Sequence, residues 1–116
     1  METLIEVKKR EAWDVVVFDF AWELDETNAD KTFSSVYEQI WDFEDKKVLF
    51  NLMWLKYLNS KSIWYIADVF SNIEDNEGQM HISNCDEGVR DVLELVGITT
   101  IIPTVDTEEE ALEAMA

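Results

Sequence analysis

Apolar and polar segments alternate along the first part of the chain in a way that predicts two strands. Residues 4–8 and 13–20 are rich in valine, isoleucine and phenylalanine, and the polar segment KKREA between them suits a hairpin turn. The run Val15–Phe18 shows no alternation, which indicates a strand covered on both faces and central in its sheet. The chain is therefore expected to begin with a β-hairpin.

The next segments change to helical spacing and back. Apolar residues recur every three or four positions from Asp25 to Phe43, with Asp25 or Thr27 as candidate N-cap, and predict a first helix. Residues 48–53 form a short apolar run that predicts a third strand. A second helix is expected after Ser60, which stands where a helix cap would be, and Gly78 closes it.

The last third of the chain continues the alternation. Residues 80–82 predict a fourth strand, and the apolar stripe of residues 89–96 predicts a third helix that Gly97 terminates. A last short strand is expected over Thr99–Ile102, before Pro103. Thr107 and Glu110 then match a capping box and predict a C-terminal helix.

The resulting order, ββαβαβαβα, defines an α/β fold class. Strands that alternate with helices indicate a layered domain with a mixed β-sheet, whose later strands are parallel and joined by right-handed crossovers. No linker, repeat or low-complexity segment interrupts the pattern, so one domain is expected over residues 1–116.

Charge and cysteine content narrow the function. Nine basic residues against 26 acidic ones give a net charge of −17, which repels nucleic acid and anionic membranes. The same charge favours a basic protein surface, although a solvated acidic face is the more common explanation of such a charge. Apolar runs are too short for membrane insertion. Cys85 is the single cysteine, so an internal disulfide is excluded and a cytoplasmic protein is expected.

Residues that carry enzymatic chemistry are scarce. The sequence has one histidine, His81, within a predicted strand, and lacks a G-x-S-x-G motif, a phosphate-binding glycine-rich loop and any metal-ligand spacing. The acidic stretch 74–78 does not follow the calcium-loop pattern. We therefore expect a non-enzymatic protein without cofactor, catalytic residue or metal.

Aromatic residues close to Ser60 are the stronger signal. Trp54 follows the third predicted strand, and Trp64 and Tyr65 lie beside the apolar stripe of the second helix. Core packing accounts for such rings as well as exposure does. If they are exposed together, they are anchors for a protein partner.

Three stretches resemble the STAS domain, the fold of bacterial anti-sigma factor antagonists. The stretch NCDEGVRDVLELVGITTIIPTVDTEEEAL (84–112) is similar to the family's closing loop, V-R-x-V-L-E-L-x-G-L helix and acidic tail. WELDETNAD (22–30) resembles the entry into the first helix, and VLFNLMWLKYLNSKS (48–62) resembles the strand and D-S-S-G loop. The resemblance implies a STAS-like fold over nearly the whole chain.

The same resemblance implies a phosphorylation site. In the family, an anti-sigma factor that is also a serine kinase phosphorylates the first serine of D-S-S-G, and the unmodified antagonist binds that anti-sigma factor and so regulates transcription. The matching serine here is Ser60, with asparagine, lysine or serine at the other motif positions: Asn51, Asn59, Lys61 and Ser62. The expected partner surface comprises Asp25, Trp54, Asn59, Ser60, Lys61, Ser62 and Trp64.

Two functions of different kinds follow. The first is an anti-sigma factor antagonist, a phosphoprotein that binds an anti-sigma factor. The alternative is a STAS subunit that docks on the ATPase of a lipid-transport ABC complex without phosphorylation. The sequence leaves open whether the domain also pairs weakly with itself as a homodimer.

Overall fold

A five-stranded sheet forms the centre of the computed structural model, which describes residues 2–116. The strands lie in the order β1-β2-β3-β4-β5; β1 runs antiparallel to β2, and the strands from β2 to β5 run parallel. This mixed sheet confirms the predicted fold class. The strand bounds are Ile5–Ala12 (β1), Val15–Leu24 (β2), Lys47–Leu58 (β3), Gln79–Ser83 (β4) and Thr104–Val105 (β5).

Residues 2–116 also contain five helices, which alternate with the strands. Their order along the chain gives ββαβαβααβα, so the structure keeps the predicted alternation and adds one short helix, α4. The helix bounds are Ala29–Ile40 (α1), Ser60–Asp75 (α2), Glu87–Leu95 (α3), Ile98–Ile101 (α4) and Glu108–Ala114 (α5).

Hydrophobic clusters cover both faces of the sheet. The larger cluster joins phenylalanines of β2 and β3 to the inner sides of α1 to α4, and each fully buried Phe or Leu contributes about 1.5–3 kcal/mol. The smaller cluster joins Val15, Val17 and Leu49 to Leu112 and Met115 of the C-terminal segment. The β2 strand is thus covered on both faces, as its unbroken apolar run predicted.

Strand β3 changes character along its length. Residues 48–52 are buried, whereas further along only Leu55 and Leu58 remain buried and Met53, Trp54 and Tyr57 are exposed. The strand therefore extends beyond the predicted 48–53. The register between β2 and β3 shifts after Asp19 and again after Trp22. These two irregularities allow the second half of β3 to direct different side chains towards the core.

The KKREA segment was wrongly predicted as a turn. It lies within β1, and the hairpin turn is formed by Trp13 and Asp14. Lys8 and Lys9 are exposed on this edge strand, where charged side chains discourage pairing with another chain. The polar residues of this segment are therefore typical of an edge strand and do not end it.

The strand predicted over Thr99–Ile102 is also wrong, because this segment contains helix α4. Gly97 adopts a left-handed conformation (φ 84°) after α3, and the buried residues Ile98 and Ile102 are spaced by one helical turn. Pro103 favours extended backbone at Ile102, so the strand begins only afterwards, at Thr104.

Candidate functional site

The first helix and second helix both begin at one end of the sheet, which we call the Ser60 end (residues 25–28 and 59–64). The β2 and β3 strands are parallel neighbours and finish together, with Leu24 paired to Leu58. The backbone N–H of Asn59 donates to the Leu24 carbonyl oxygen over 3.1 Å, which ties the two connections to each other. Parallel topology therefore brings the predicted site residues of these loops together.

Asn59, and not Ser60, caps helix α2. Asn59 has extended backbone, and its Oδ1 accepts hydrogen bonds from the Ser62 backbone N–H (2.9 Å) and the Ser62 hydroxyl (2.7 Å). Ser60 is the first residue of the helix and is exposed. The prediction that Ser60 lies at the start of α2 is confirmed, but its role as cap is wrong, because the Asn59 side chain occupies the cap position and accepts from the Ser62 N–H.

The two residues after Ser60 differ sharply in environment. Ser62 is fully buried against the cap. Lys61 is exposed and pairs with Asp30, Nζ to Oδ1 over 2.8 Å, and the Tyr65 hydroxyl donates to the same carboxylate over 2.5 Å. The hydrogen bonds from Lys61 and then Tyr65 hold the pKa of Asp30 below its usual range. Lys61 therefore connects α2 to α1 at the surface.

Asp25 braces the loop before α1 instead of capping the helix. Its Oδ1 accepts from the Thr27 backbone N–H (2.9 Å) and hydroxyl (2.6 Å), and the Thr27 hydroxyl bond is the main cause that lowers the pKa of Asp25. The N-cap position is Asn28, whose side-chain NH₂ donates to the Glu23 carbonyl oxygen over 2.9 Å. The predicted caps Asp25 and Thr27 are thus wrong, and α1 begins later, at Ala29.

A cleft of about 400 Å³ opens between these loops. Tyr57 forms one wall and is half exposed. Tyr57 was not predicted from the sequence, although its place two positions before Asn59 on β3 was a usable signal. The lining residues are Asp25, Glu26, Thr27, Tyr57 and Asn59.

The two predicted tryptophans are exposed but do not share that cleft. Trp64 is 60% exposed and meets the Tyr65 ring edge to face, with the ring centres 5.4 Å apart. Trp54 is 58% exposed, with the Lys56 ammonium 5.8 Å from its ring centre. Trp54 borders a second cleft on the opposite face of the sheet, with Arg10, Asp19, Asn51, Met53, Asn84 and Glu108.

An ion-pair network that the sequence did not predict fills the base of this second cleft. Arg10 binds Asp19 (Nε to Oδ2, 2.5 Å) and Glu108 (Nη2 to Oε1, 2.5 Å). Asn51 donates to Glu108 Oε1 over 3.1 Å, and its own Oδ1 accepts from the Met53 N–H. The Arg10 bonds lower the pKa of Glu108 and fasten α5 to the sheet. Asn51 therefore has a structural role.

Neither a metal site nor a membrane-crossing helix is apparent in the described part of the chain. Among residues 2–116, no three His, Cys, Asp or Glu side chains converge as metal ligands would. Over the same residues, each helix is too short or too polar to cross a bilayer. The chemistry of the Ser60 end is that of an exposed hydroxyl, an ion pair and aromatic rings.

Comparisons with known proteins identify the family. The STAS domain model matches residues 5–111, and the chain belongs to the STAS domain family, as its motifs indicated. A search of curated proteins gave no match. The structure resembles an anti-sigma factor antagonist from Mycobacterium paratuberculosis, with a TM-score of 0.85 and 18% identity over 97% of this chain and 94% of that one.

Two further solved structures share the fold at low identity. The Bacillus cell fate determinant SpoIIAA, in its phosphorylated form, gives a TM-score of 0.72 and 18% identity over 96% of this chain and 100% of that chain. The STAS domain of a SulP transporter from Vibrio cholerae gives 0.63 and 14% identity, over 81% and 77% of the two chains. At these identities the likeness establishes the fold alone.

Proposed function

We propose that this STAS domain is a non-enzymatic regulatory module of the cytoplasm that binds a protein partner at its Ser60 end. The partner is an anti-sigma factor that is also a serine kinase, and Ser60 is its phosphoacceptor. The observation that carries the proposal is the exposed hydroxyl of Ser60 at the first position of α2, outside the cap that Asn59 forms. A hydroxyl with no part in the cap is accessible to a kinase.

The surroundings of Ser60 favour a phosphate group. The N-terminus of the 16-residue helix α2 carries the positive end of its dipole, which stabilises an anion attached to the first turn. The Lys61–Asp30 pair is exposed on both sides, and such pairs contribute little to stability. Lys61 is therefore free to turn towards a phosphate at small cost in free energy.

The surface around Ser60 also suits a protein partner. Tyr57 and Trp64 are exposed on the two elements that flank the Asn59–Ser60 junction. Rigid aromatic side chains of this kind are frequent anchors in protein interfaces. In this proposal they provide the contact area, and the state of Ser60 decides whether the partner can approach.

The second candidate is a STAS subunit that docks on the ATPase of a lipid-transport ABC complex. It is favoured by the structural roles of two asparagines at positions where the family motif has acids: Asn51 belongs to the Arg10 network, and Asn59 is the cap. A kinase that recognises those acids would not find them here. The fold likeness to the STAS domain of a SulP transporter fits a transport-associated role.

Phosphorylation of the intact protein distinguishes the two candidates. The protein is incubated with Mg-ATP and a kinase anti-sigma factor of the family, and the phosphate is located by mass spectrometry. We expect one phosphate on Ser60 and none on a Ser60→Ala variant. If Ser60 stays unmodified while an antagonist with an intact D-S-S-G loop is phosphorylated in parallel, the docking subunit is the better assignment.

A further inference from the structure

The opposite end of the sheet, where the parallel strands begin, is a single body built from three connections. We call it the Trp41 end (residues 13–14, 41–46 and 75–78). The Asp45 N–H donates to the Asn76 carbonyl oxygen over 3.0 Å, and Lys47 Nζ donates to Asp14 over 2.9 Å. Gly78 packs so closely that a Cβ there would lie 2.3 Å from the Lys46 carbonyl oxygen. The three connections therefore hold one another in place.

Two tryptophans project from this end into water. Trp13 in the β1–β2 turn is 68% exposed, and Trp41 after α1 is 81% exposed. Exposed indoles of this size are unfavourable in water and provide large contact areas when a partner covers them. Neither ring belongs to either hydrophobic cluster of the fold. Packing therefore does not account for the two side chains.

Local backbone preference does not account for them either. Trp13 and Trp41 have positive φ values of 57° and 60°, which favour glycine, and Trp41, with ψ −71°, is the central residue of a strained γ-turn. A bulky side chain is disfavoured there by roughly 1–2 kcal/mol. Glycine at either position would fit the turn with less strain, so the tryptophans are present in spite of the fold's local requirements.

The charge of the segments that form the Trp41 end specifies the kind of partner. The residues of the Trp41 end include one lysine, Lys46, against six acidic side chains, of which one, Asp14, pairs with the adjoining Lys47. A second copy of the chain, at −17, would be repelled, and so would a phosphate backbone or an anionic bilayer. Basic side chains are attracted by the carboxylates and stack on indole faces. The six acids are Asp14, Asp42, Glu44, Asp45, Asp75 and Glu77.

We propose that the Trp41 end is a second protein-binding surface, separate from the Ser60 end, and that it binds a basic segment of a partner protein in which arginine or lysine alternates with apolar residues. The apolar side chains cover Trp13 and Trp41, and the basic ones pair with the surrounding carboxylates. This surface goes beyond the proposed function, which concerns Ser60, and leaves one STAS domain able to hold two partners at opposite ends.

Tryptophan NMR signals of the intact, ¹⁵N-labelled protein test the proposal. The probe is a synthetic peptide of alternating arginine and leucine, and the five tryptophans give separate indole N–H signals to follow. We expect the signals of Trp13 and Trp41 to shift on titration and those of Trp22, Trp54 and Trp64 to stay. The affinity should fall as salt is added, because the carboxylates provide part of it.

Glycine variants separate binding from folding. Trp13→Gly and Trp41→Gly should each weaken peptide binding at least about tenfold, which corresponds to ~1.4 kcal/mol, without lowering the melting temperature measured by circular dichroism. Trp22→Gly is the matched control, since Trp22 is also left-handed (φ 85°) and exposed but lies near the end of β2. That variant should bind the peptide as the native protein does.

Four outcomes of the binding experiments would overturn the proposal. They are equal shifts of all five indole signals, unchanged binding by the variant that lacks both Trp13 and Trp41, equal binding of a lysine-only peptide, and binding of zwitterionic phosphatidylcholine vesicles through the same indoles. Self-association of the protein at the Trp41 end, seen by ultracentrifugation, would assign the surface to a second copy and also contradict it.

Discussion

The two ends of the sheet expose tryptophans for different structural reasons. At the Ser60 end, Trp64 lies on regular helical backbone, and short polar side chains such as Asn59 and Asn28 fix the connections. At the Trp41 end, Trp13 and Trp41 themselves occupy left-handed turn positions. At the Ser60 end, the tryptophan is exposed because its position on the helix points towards solvent. At the Trp41 end, the tryptophans are exposed at turn positions whose backbone conformation disfavours bulky side chains.

This contrast indicates where each end is sensitive to substitution. The Ser60 end is relaxed, so changes to its exposed side chains that keep the helical backbone favourable should alter binding and leave folding intact. The Trp41 end is strained, so replacing its tryptophans should relieve strain while removing contact area. Four predictions test this contrast, in order of decreasing effect.

The largest effect is expected for Ser60→Asp. The added carboxylate places charge on a protein already at −17 and in the middle of the proposed contact, so binding of the anti-sigma factor should weaken about 30-fold or more, ~2 kcal/mol. Isothermal titration calorimetry measures it. The basic peptide at the Trp41 end should bind as before, and a parallel loss there would show that the two ends are not independent.

Next comes the pair Asn59→Ala and Ser60→Ala. Removing the cap leaves the Ser62 N–H and hydroxyl without their shared acceptor and should lower the free energy of unfolding by about 1 kcal/mol. Ser60→Ala should change it by less than about 0.5 kcal/mol, because Ser60 is exposed and does not cap. Urea unfolding followed by circular dichroism compares the two, and equal losses would contradict the assignment of the cap.

The same substitution, tryptophan to glycine, should have opposite signs at the two ends. Trp64→Gly places glycine inside helix α2 and should destabilise the protein by about 1 kcal/mol. Trp41→Gly relieves a left-handed side chain and should stabilise it by up to about 1 kcal/mol. Both variants are compared by thermal unfolding. A loss of stability in Trp41→Gly would mean that the exposed ring contributes to folding after all.

The smallest effect concerns acid stability in the region between the two ends. Because Arg10 lowers the pKa of Glu108 in the folded state, the pair stabilises the fold above the ordinary carboxyl value of 4.5 and loses that contribution as pH falls through the lowered pKa. Glu108→Gln should therefore reduce the loss of stability on acidification, by about 1 kcal/mol or less. Glu109→Gln is the control, because it removes one charge from the same helix. In that variant the free energy of unfolding should depend on pH as it does in the native protein.

At the Ser60 end, sequence patterns predicted the start of α2 because its signals are local. The apolar stripe of α2 and the buried Leu58 before it place a helix start at residues 59–60. The pattern did not show which residue caps α2, because Asn59 and Ser60 are both good N-caps. The choice between them depends on where strand β3 ends. The position of Trp64 beside the stripe left its exposure open, and the structure shows the ring exposed.

The turns of the Trp41 end were not predicted, because the residues at the turn positions are not the ones that usually mark a turn. Left-handed turn positions are usually signalled by glycine or asparagine, and tryptophan at positions 13 and 41 hides them. Polar residues of β1 looked like a turn because an edge strand and a turn both favour charge. The β-branched residues of α4 resembled a strand. The left-handed Gly97 before them and the one-turn spacing of Ile98 and Ile102 instead fit a helix.

The placement of the aromatic residues also has a spectroscopic consequence. All five tryptophans are exposed, and the buried rings of the larger core are phenylalanines. Indole emission of the native protein should therefore already have the red-shifted maximum of rings in contact with water. Unfolding will move that maximum little, and the tryptophan fluorescence of this domain will report on its surface instead of on its core.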